Sequence, residues 1–292
     1  MATGITETGT LQDSMNSVVA SARIVREQTG IMSQLSDLHN LDEGSGETWN
    51  EVTFAKLAAQ AVTELSDLDD NPQQLSDSNF AITPTLIGIS TFVTDKLKRR
   101  MSRVAWAQIG TLSQNAIQRK KDIDGLTVLD GATTSLGGAG TTLTSGHISS
   151  AVSRITSNTT EPGPAPIRCV LHGFQIKDLQ DELVAGVGTY GIPDGPTADV
   201  FKMGWRLPIA GADIYEDGNI TIDCADDAKG GVFSAMSIVL IQEMMTRAVT
   251  VRKENLGGGG DAVYVYDGYA FGERSSGNWL YEIYSDATAP TS

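Results

Sequence analysis

The strongest periodic signal in the chain begins at Thr94. Leu97, Met101, Val104, Ala105, Ile109, Leu112 and Ala116 follow i, i+3/i+4 spacing, which predicts a long amphipathic helix from Thr94, its N-cap, to about Asp122. A second helical pattern, Leu11, Met15, Val18, Val19, Ala22, Val25 and Ile31, predicts a helical arm over Leu11 to Leu35. Shorter amphipathic helices are expected through Ile148, Val152 and Ile155, and over Phe174 to Val184. Strand patterns fall at Trp49 to Leu57, Phe80 to Val93, Ile167 to Leu171 and Leu207 to Tyr215, the last followed by a turn at Glu216 to Asn219. The last third is read as β-structure, with extended candidates at Val232 to Met244, Arg247 to Glu254, Val263 to Phe271 and Trp279 to Tyr284. Helices and strands therefore mix without a regular βα alternation, and the fold class expected is α+β.

Loops punctuate this order. Asp42 to Glu47 is a Gly/Ser/acidic hinge, Asp130 to Gly146 is rich in Gly and Thr, and Glu161 to Pro166 is a Pro-rich break. Between the first two strands lies Ala61 to Asn79, which carries Glu64, Asp67, Asp69, Asp70 and Asp77 and contains Pro72, so no continuous helix can cross it. Carboxylates at that density would be desolvated in a core. The stretch is expected to form a two-stranded projection whose partners lie outside its own subunit.

Charge sharpens that picture. The 292-residue chain is 40% hydrophobic, enough for one or two domains, and has a formal net charge of −15. A sequence-specific nucleic-acid reader would carry a basic face instead. Of the 21 Lys and Arg residues, Lys96, Lys98, Arg99, Arg100, Arg103, Arg119, Lys120 and Lys121 cluster on the long helix. Those near its C-terminal end suit the helix dipole, whereas those near its start oppose it and call for carboxylate partners.

No motif points to catalysis. Gly186 to Gly191 spells GxGxxG but follows a helix and runs into Pro193, the wrong context for a dinucleotide turn. Asp67 to Asn71 resembles the start of a calcium loop, yet Pro72 stands where glycine must turn the chain and Ser78 where a bidentate carboxylate belongs. His39, His147 and His172 sit in no catalytic or zinc signature, and His172 is read as capping a strand. Cys169 and Cys224 are read as small apolar residues. The sequons at Asn158 and Asn219 are discounted, since Met1 to Thr10 has neither the basic nor the apolar region of a secretory signal, and no apolar run spans a bilayer. No enzyme, cofactor, metal or membrane role is expected.

The order of parts carries a resemblance. Leu75 to Asp77 and Ile87 to Asp95 look like the return limb of an extended loop entering a spine helix. Val170 to Phe174 with Leu179 looks like a strand-to-helix step, and Gly204 to Glu216 like a core strand with its turn. Together, over residues 40–285, they resemble the Hong Kong 97-type shell fold of tailed-phage major capsid proteins. The resemblance implies an N-terminal arm (1–46), an extended β-loop with flanking strands (47–93), the peripheral-domain spine helix (94–134), an axial domain (135–245) and a returning peripheral-domain β-segment with the C-terminal strand (246–292).

It also implies self-assembly into hexamers and pentamers of an icosahedral head shell around double-stranded DNA, in a virion assembled in the host cytoplasm. Portal protein and, where used, scaffolding or cement proteins would be partners, with packaged DNA met by non-specific proximity. On this reading Glu64, Asp67, Asp69 and Asp70 of one copy lie over Arg99, Arg100 or Arg103 of a neighbour. Some members weld subunits through a Lys–Asn isopeptide bond, and Lys56 and Asn255 occupy analogous regions; without an identified acid to promote the reaction, no cross-link is expected. No cleaved N-terminal scaffolding segment is expected either. The alternatives are an encapsulin-like bacterial compartment shell and a β-rich phage surface or tail protein.

Overall fold

A computed structural model describes residues 5–6, 26–28, 30–44, 46–64, 72–100, 103–187, 208–255, 258–275 and 277–290, with the side chains of 5–6, 103–107 and 183–187 outside that description. The elements in order are β1 (Ile5–Thr6), α1 (Met32–Leu35), β2 (Asp37–Asn40), β3 (Trp49–Phe54), β4 (Asp77–Ile82), β5 (Thr85–Thr94), α2 (Asp95–Arg100), α3 (Arg103–Asp130), β6 (Ser135–Gly137), α4 (Ser145–Thr156), β7 (Ile167–Leu171), α5 (Gly173–Val187), β8 (Ala212–Glu216), β9 (Asp227–Ser234), β10 (Ile238–Lys253), β11 (Gly260–Glu273) and β12 (Leu280–Asp286). The mixed α+β class expected from the sequence is the one observed.

The strands form two five-stranded sheets, ordered β1-β5-β11-β10-β2 and β6-β12-β9-β7-β8, and a separate two-stranded ribbon β3-β4. The second sheet is buried on both faces. Alternation along β7 sends Ile167, Cys169 and Leu171 to one side, where Ile148, Ala151, Val152 and Ile155 of α4 and Ile176 and Leu179 of α5 cover them. Val170 points to the other side, against Leu126 and Leu129 of α3, Met32 and Leu35 of α1, and Phe233 and Leu280. The parallel pair β7-β8 is joined through α5, the crossover that parallel strands require.

Two apolar runs that read as single strands are each broken. Phe80 to Val93 divides at Thr83-Pro84 into β4 and β5, since Pro84 has no N–H to give a ladder. Val232 to Met244 divides at a turn closed by the Ser237 N–H on the Ser234 carbonyl (2.9 Å), so that β9 joins the second sheet and β10 the first.

The long helix also departs from expectation. Thr94 caps α2, its Oγ1 accepting the Leu97 N–H at 3.3 Å, and residues 101–102, between α2 and α3, lie outside the described residues. α3 runs eight residues past Asp122, through Gly125 to Asp130. Gly125 is tolerated because a Cβ there would lie 2.7 Å from the Met32 Cβ, so the close approach of α1 requires glycine. The buried stripe described on α3 is Ser113, Ile117, Lys121, Asp122, Gly125, Leu126 and Leu129, while Leu112, expected on the apolar face, is exposed. Lys121 is buried because β11 offers it Asp267: its Nζ lies 3.6 Å from Asp267 Oδ2, bonds Gln242 Oε1 and sits 4.8 Å from the Tyr269 ring centre. Burial pulls the Lys121 ammonium below its ordinary value, and the Asp267 carboxylate offsets part of that.

The expected arm helix lies mostly outside the described residues; among those described, 26–28 and 30–31 are not helical and only Met32–Leu35 forms a turn. Cys169 is buried, but Cys224 is exposed, so the small-apolar reading holds for Cys169 alone, and both thiols are free. No helix among the described residues is long and apolar enough to cross a membrane.

Candidate assembly surfaces

The ribbon is the least self-sufficient part of the chain. β3 and β4 pair antiparallel from Trp49↔Ile82 to Phe54↔Asp77, and the pairing continues through the Ala55 N–H on the Ser76 carbonyl (2.9 Å). Further out, the Gln73 side chain bonds both backbone groups of Ala58. Val52, Phe54, Leu57, Val62 and Leu75 are all more than half exposed. An isolated two-stranded ribbon is marginal in water, and this one presents apolar side chains to it.

At its base the ribbon is held by two devices. Trp49, Phe80 and Ile82 pack on Val239, Ile241 and Ala270 of the first sheet, with Trp49 edge-on to Phe80 at 6.2 Å. Beside them Arg274, at the end of β11 and 12% exposed, forks between elements. Its Nε donates to Glu51 Oε2 on β3 (2.8 Å), its Nη2 to Asp37 Oδ2 on β2 (2.8 Å) and its Nη1 to the Met236 carbonyl (2.7 Å). His39 Nε2 lies 3.1 Å from the same Asp37 oxygen, and its ring stacks at 5.0 Å on Trp49. Burial alone would raise the Asp37 carboxyl, but hydrogen bonds from Arg274 and His39 outweigh it and hold the group below its usual range.

A second charged group sits where β5 meets α2. Arg252 of β10 reaches Asp95 with two nitrogens (2.7 and 2.6 Å) and Glu254 with a third (2.7 Å), and Lys98 bonds Asp261. Asp95 occupies the first turn of α2, where a carboxylate suits the dipole. Four of the eight basic residues read on the long helix find partners in their own chain: Lys98 takes Asp261, Arg119 takes Glu27 at 3.1 Å, Lys120 takes Asp124 and Lys121 takes Asp267.

Of the residues expected to join neighbouring copies, Glu64 is exposed at a turn of the ribbon extension, and Arg99 and Arg100 are exposed on the last turn of α2. Asp67, Asp69 and Asp70 lie outside the described residues, as does the side chain of Arg103, the first residue of α3. Among the described residues no ion pair joins Glu64 to Arg99 or Arg100 within one copy. Lys56 donates to the Thr159 carbonyl at 3.0 Å, and Asn255 is exposed beyond β10. The calcium-like run and most of the GxGxxG stretch also fall outside the described residues. His172 does close the end of β7: its Nδ1 accepts the Phe174 N–H at 3.2 Å.

The Arg274 group escaped the sequence reading because its members stand 37, 39, 51 and 274 along the chain, with no spacing to betray them. Also missed was the outward face of the first sheet, where Tyr264 and Tyr266 stack at 6.0 Å beside the exposed Leu86, Val249 and Val251. Among the described residues no cluster of three or more His, Cys, Asp or Glu could hold a metal ion.

The sequence matches no family model and no curated protein. Solved structures do resemble it. The capsid of cyanophage P-SCSP1u superposes with a TM-score of 0.71 at 13% identity, covering 97% of this chain and 96% of that one. An acidic stable capsid of Helicobacter pylori bacteriophage KHP30 gives 0.71 at 10% identity over 98% and 100%, and the capsid of Ralstonia phage GP4 gives 0.68 at 11% over the full length of both. The superpositions take in nearly the whole of each chain, so this chain shares the fold of those phage capsid structures.

Proposed function

We propose that the chain is the major capsid protein of a tailed phage, self-assembling into the icosahedral head shell that encloses the double-stranded DNA genome. The observation that carries this reading is the ribbon: within a full-length capsid-type fold, Val52, Phe54, Leu57, Val62 and Leu75 are left in water, and a neighbouring copy would cover them. The role is structural, and the division into arm (1–46), extended loop (47–93), spine (94–134), axial domain (135–245) and returning segment (246–292) is the working anatomy of the shell subunit. Hexamers and pentamers, a portal, scaffolding or cement proteins where used, and DNA met without sequence reading are its partners; host cytoplasm is its site of assembly and the virion its destination.

Register between copies comes from charge. Glu64, Asp67, Asp69 and Asp70 would meet Arg99, Arg100 or Arg103 of a neighbour, and the exposure of Glu64, Arg99 and Arg100 leaves those three free of the core. Negative-stain microscopy of the purified chain across ionic strength tests the whole reading. Closed shells or capsomer-like rings are expected, with particle size and contents separating a phage head from an encapsulin-like compartment. A uniform monomer both with and without a scaffolding partner overturns it. Reversal of Glu64 to Lys is expected to shift the salt dependence of assembly; unchanged assembly at low and high salt removes the charge-register element alone.

A further inference from the structure

Asp122 on α3 and Asp217 in the turn after β8 are 2% and 1% exposed and face one another. Both Asp122 oxygens are engaged: Oδ1 accepts the Met32 N–H at 3.0 Å and Oδ2 accepts the Asn219 side-chain amide at 2.9 Å. Asp217 Oδ1 accepts the Asn219 N–H at 2.9 Å, whereas its Oδ2 is buried and meets no donor. Among the described residues neither carboxyl has a cationic partner. The charged groups around the pair are Arg26 and Glu27 of the preceding segment and Arg119 of α3, which lines the same groove of about 560 Å³ and is paired with Glu27. α1 contributes no titratable side chain, and Glu216 of β8 lies against Gly173 instead.

Two ionised carboxylates in contact, both desolvated and neither compensated, oppose each other and their surroundings. One proton between them removes the repulsion and supplies the donor that Asp217 Oδ2 lacks. Burial first, then the facing Asp122, pushes the Asp217 carboxyl up to about 7, against the nearby backbone amides of Asn219 and Ile31, which favour its ionised form.

The backbone of the preceding segment lies directly on this pair. A Cβ at Gly30 would stand 2.4 Å from Asp122 Cγ, and one at Gly218 would stand 2.6 Å from Gln28 Cδ. Ionised in place, both charges would lie beneath that segment, nearly out of contact with water. We propose that Asp122 and Asp217 form a proton-held latch, in which one shared proton keeps Gly30 to Met32 clamped between the spine helix and the second sheet, and loss of the proton releases them. The latch is independent of the shell reading.

The sign follows from linkage. Docking raises the Asp217 pKa above the ordinary 3.8, so the clamp is fully present below that value and is lost as pH rises through about 7. Hydrogen exchange of the full-length chain, read as protection factors corrected for intrinsic chemistry, tests it. Protection at the Ile31 and Met32 amides is expected to fall at least about tenfold from acid to mildly alkaline pH, with β9 and β12 unchanged. Asp217→Asn, which retains a donor towards Asp122, is expected to hold protection flat, as is Asp122→Asn. In the wild type an infrared band of a protonated carboxyl should persist to neutral pH and be missing from either variant. Flat wild-type protection, a slope surviving in both variants, or a slope abolished by a chelator overturns the proposal, the last by placing a metal ion where the proton is assigned.

Discussion

The second sheet and the β3-β4 ribbon are built from the same kinds of residue and stand at opposite ends of self-sufficiency. In the sheet, both faces are covered from within the chain, by α4 and α5 on one side and α1 and α3 on the other. In the ribbon, apolar side chains alternate on a pleated surface just as they do in β7, but among the described residues nothing buries Phe54 or Leu57, and the packed part is the base. Apolar area stabilises a fold only where something removes it from water. The sheet is thus packed from both sides, whereas the ribbon is held within the chain only at its root, by the Trp49 cluster and the Arg274 fork.

Substitutions that treat the two regions alike should give unlike results. Phe233→Ala empties a fully buried site in the sheet and is expected to destabilise the unassembled subunit by about 3–5 kcal/mol in denaturant unfolding. Arg274→Ala strands Asp37 and Glu51 at the ribbon root; a loss of about 2 kcal/mol is expected, with hydrogen exchange rising in β3 and β4 but not in β9.

A smaller effect separates the regions by pH. The Asp37 carboxyl is lowered, so its contribution is present above 3.8 and is lost as pH falls below it, loosening the ribbon root by under about 1 kcal/mol after solvent screening. The Asp122–Asp217 latch tightens in the same direction. Acid should therefore raise exchange at Glu51 while lowering it at Met32, and parallel changes at both would collapse the distinction. Phe54→Ala is expected to change subunit unfolding least, by less than about 0.5 kcal/mol, while reducing shell or ring yield in the microscope. A large loss of subunit stability from Phe54→Ala would mean that the ribbon is packed within its own chain after all.

Legibility in the sequence tracked locality. The strand at Ile167 to Leu171, the helices α4 and α5 and the cap at Thr94 were readable because periodicity and capping act over a few residues. The true end of the spine helix was not, since Gly125 reads as a stop until Met32 is seen pressed against it. The burial of Lys121 was not legible either, because Asp267, which draws it inward, is 146 residues away. Of the residues expected to join copies, only Glu64, Arg99 and Arg100 have described side chains, all three exposed, while Lys98 and Arg119 pair at the surface of their own chain.

By itself, then, the sequence determined the mixed α+β class, the position of the long helix and the projection with no core to join, because each follows from the spacing of apolar and charged residues along a short stretch of backbone. Only the tertiary structure decided that the Val232 to Met244 run serves two sheets, that Arg274 locks the ribbon root, and that two aspartates 95 residues apart share one buried site. Each of those depends on desolvation and on partners brought from distant parts of the chain, and neither is encoded in any local pattern.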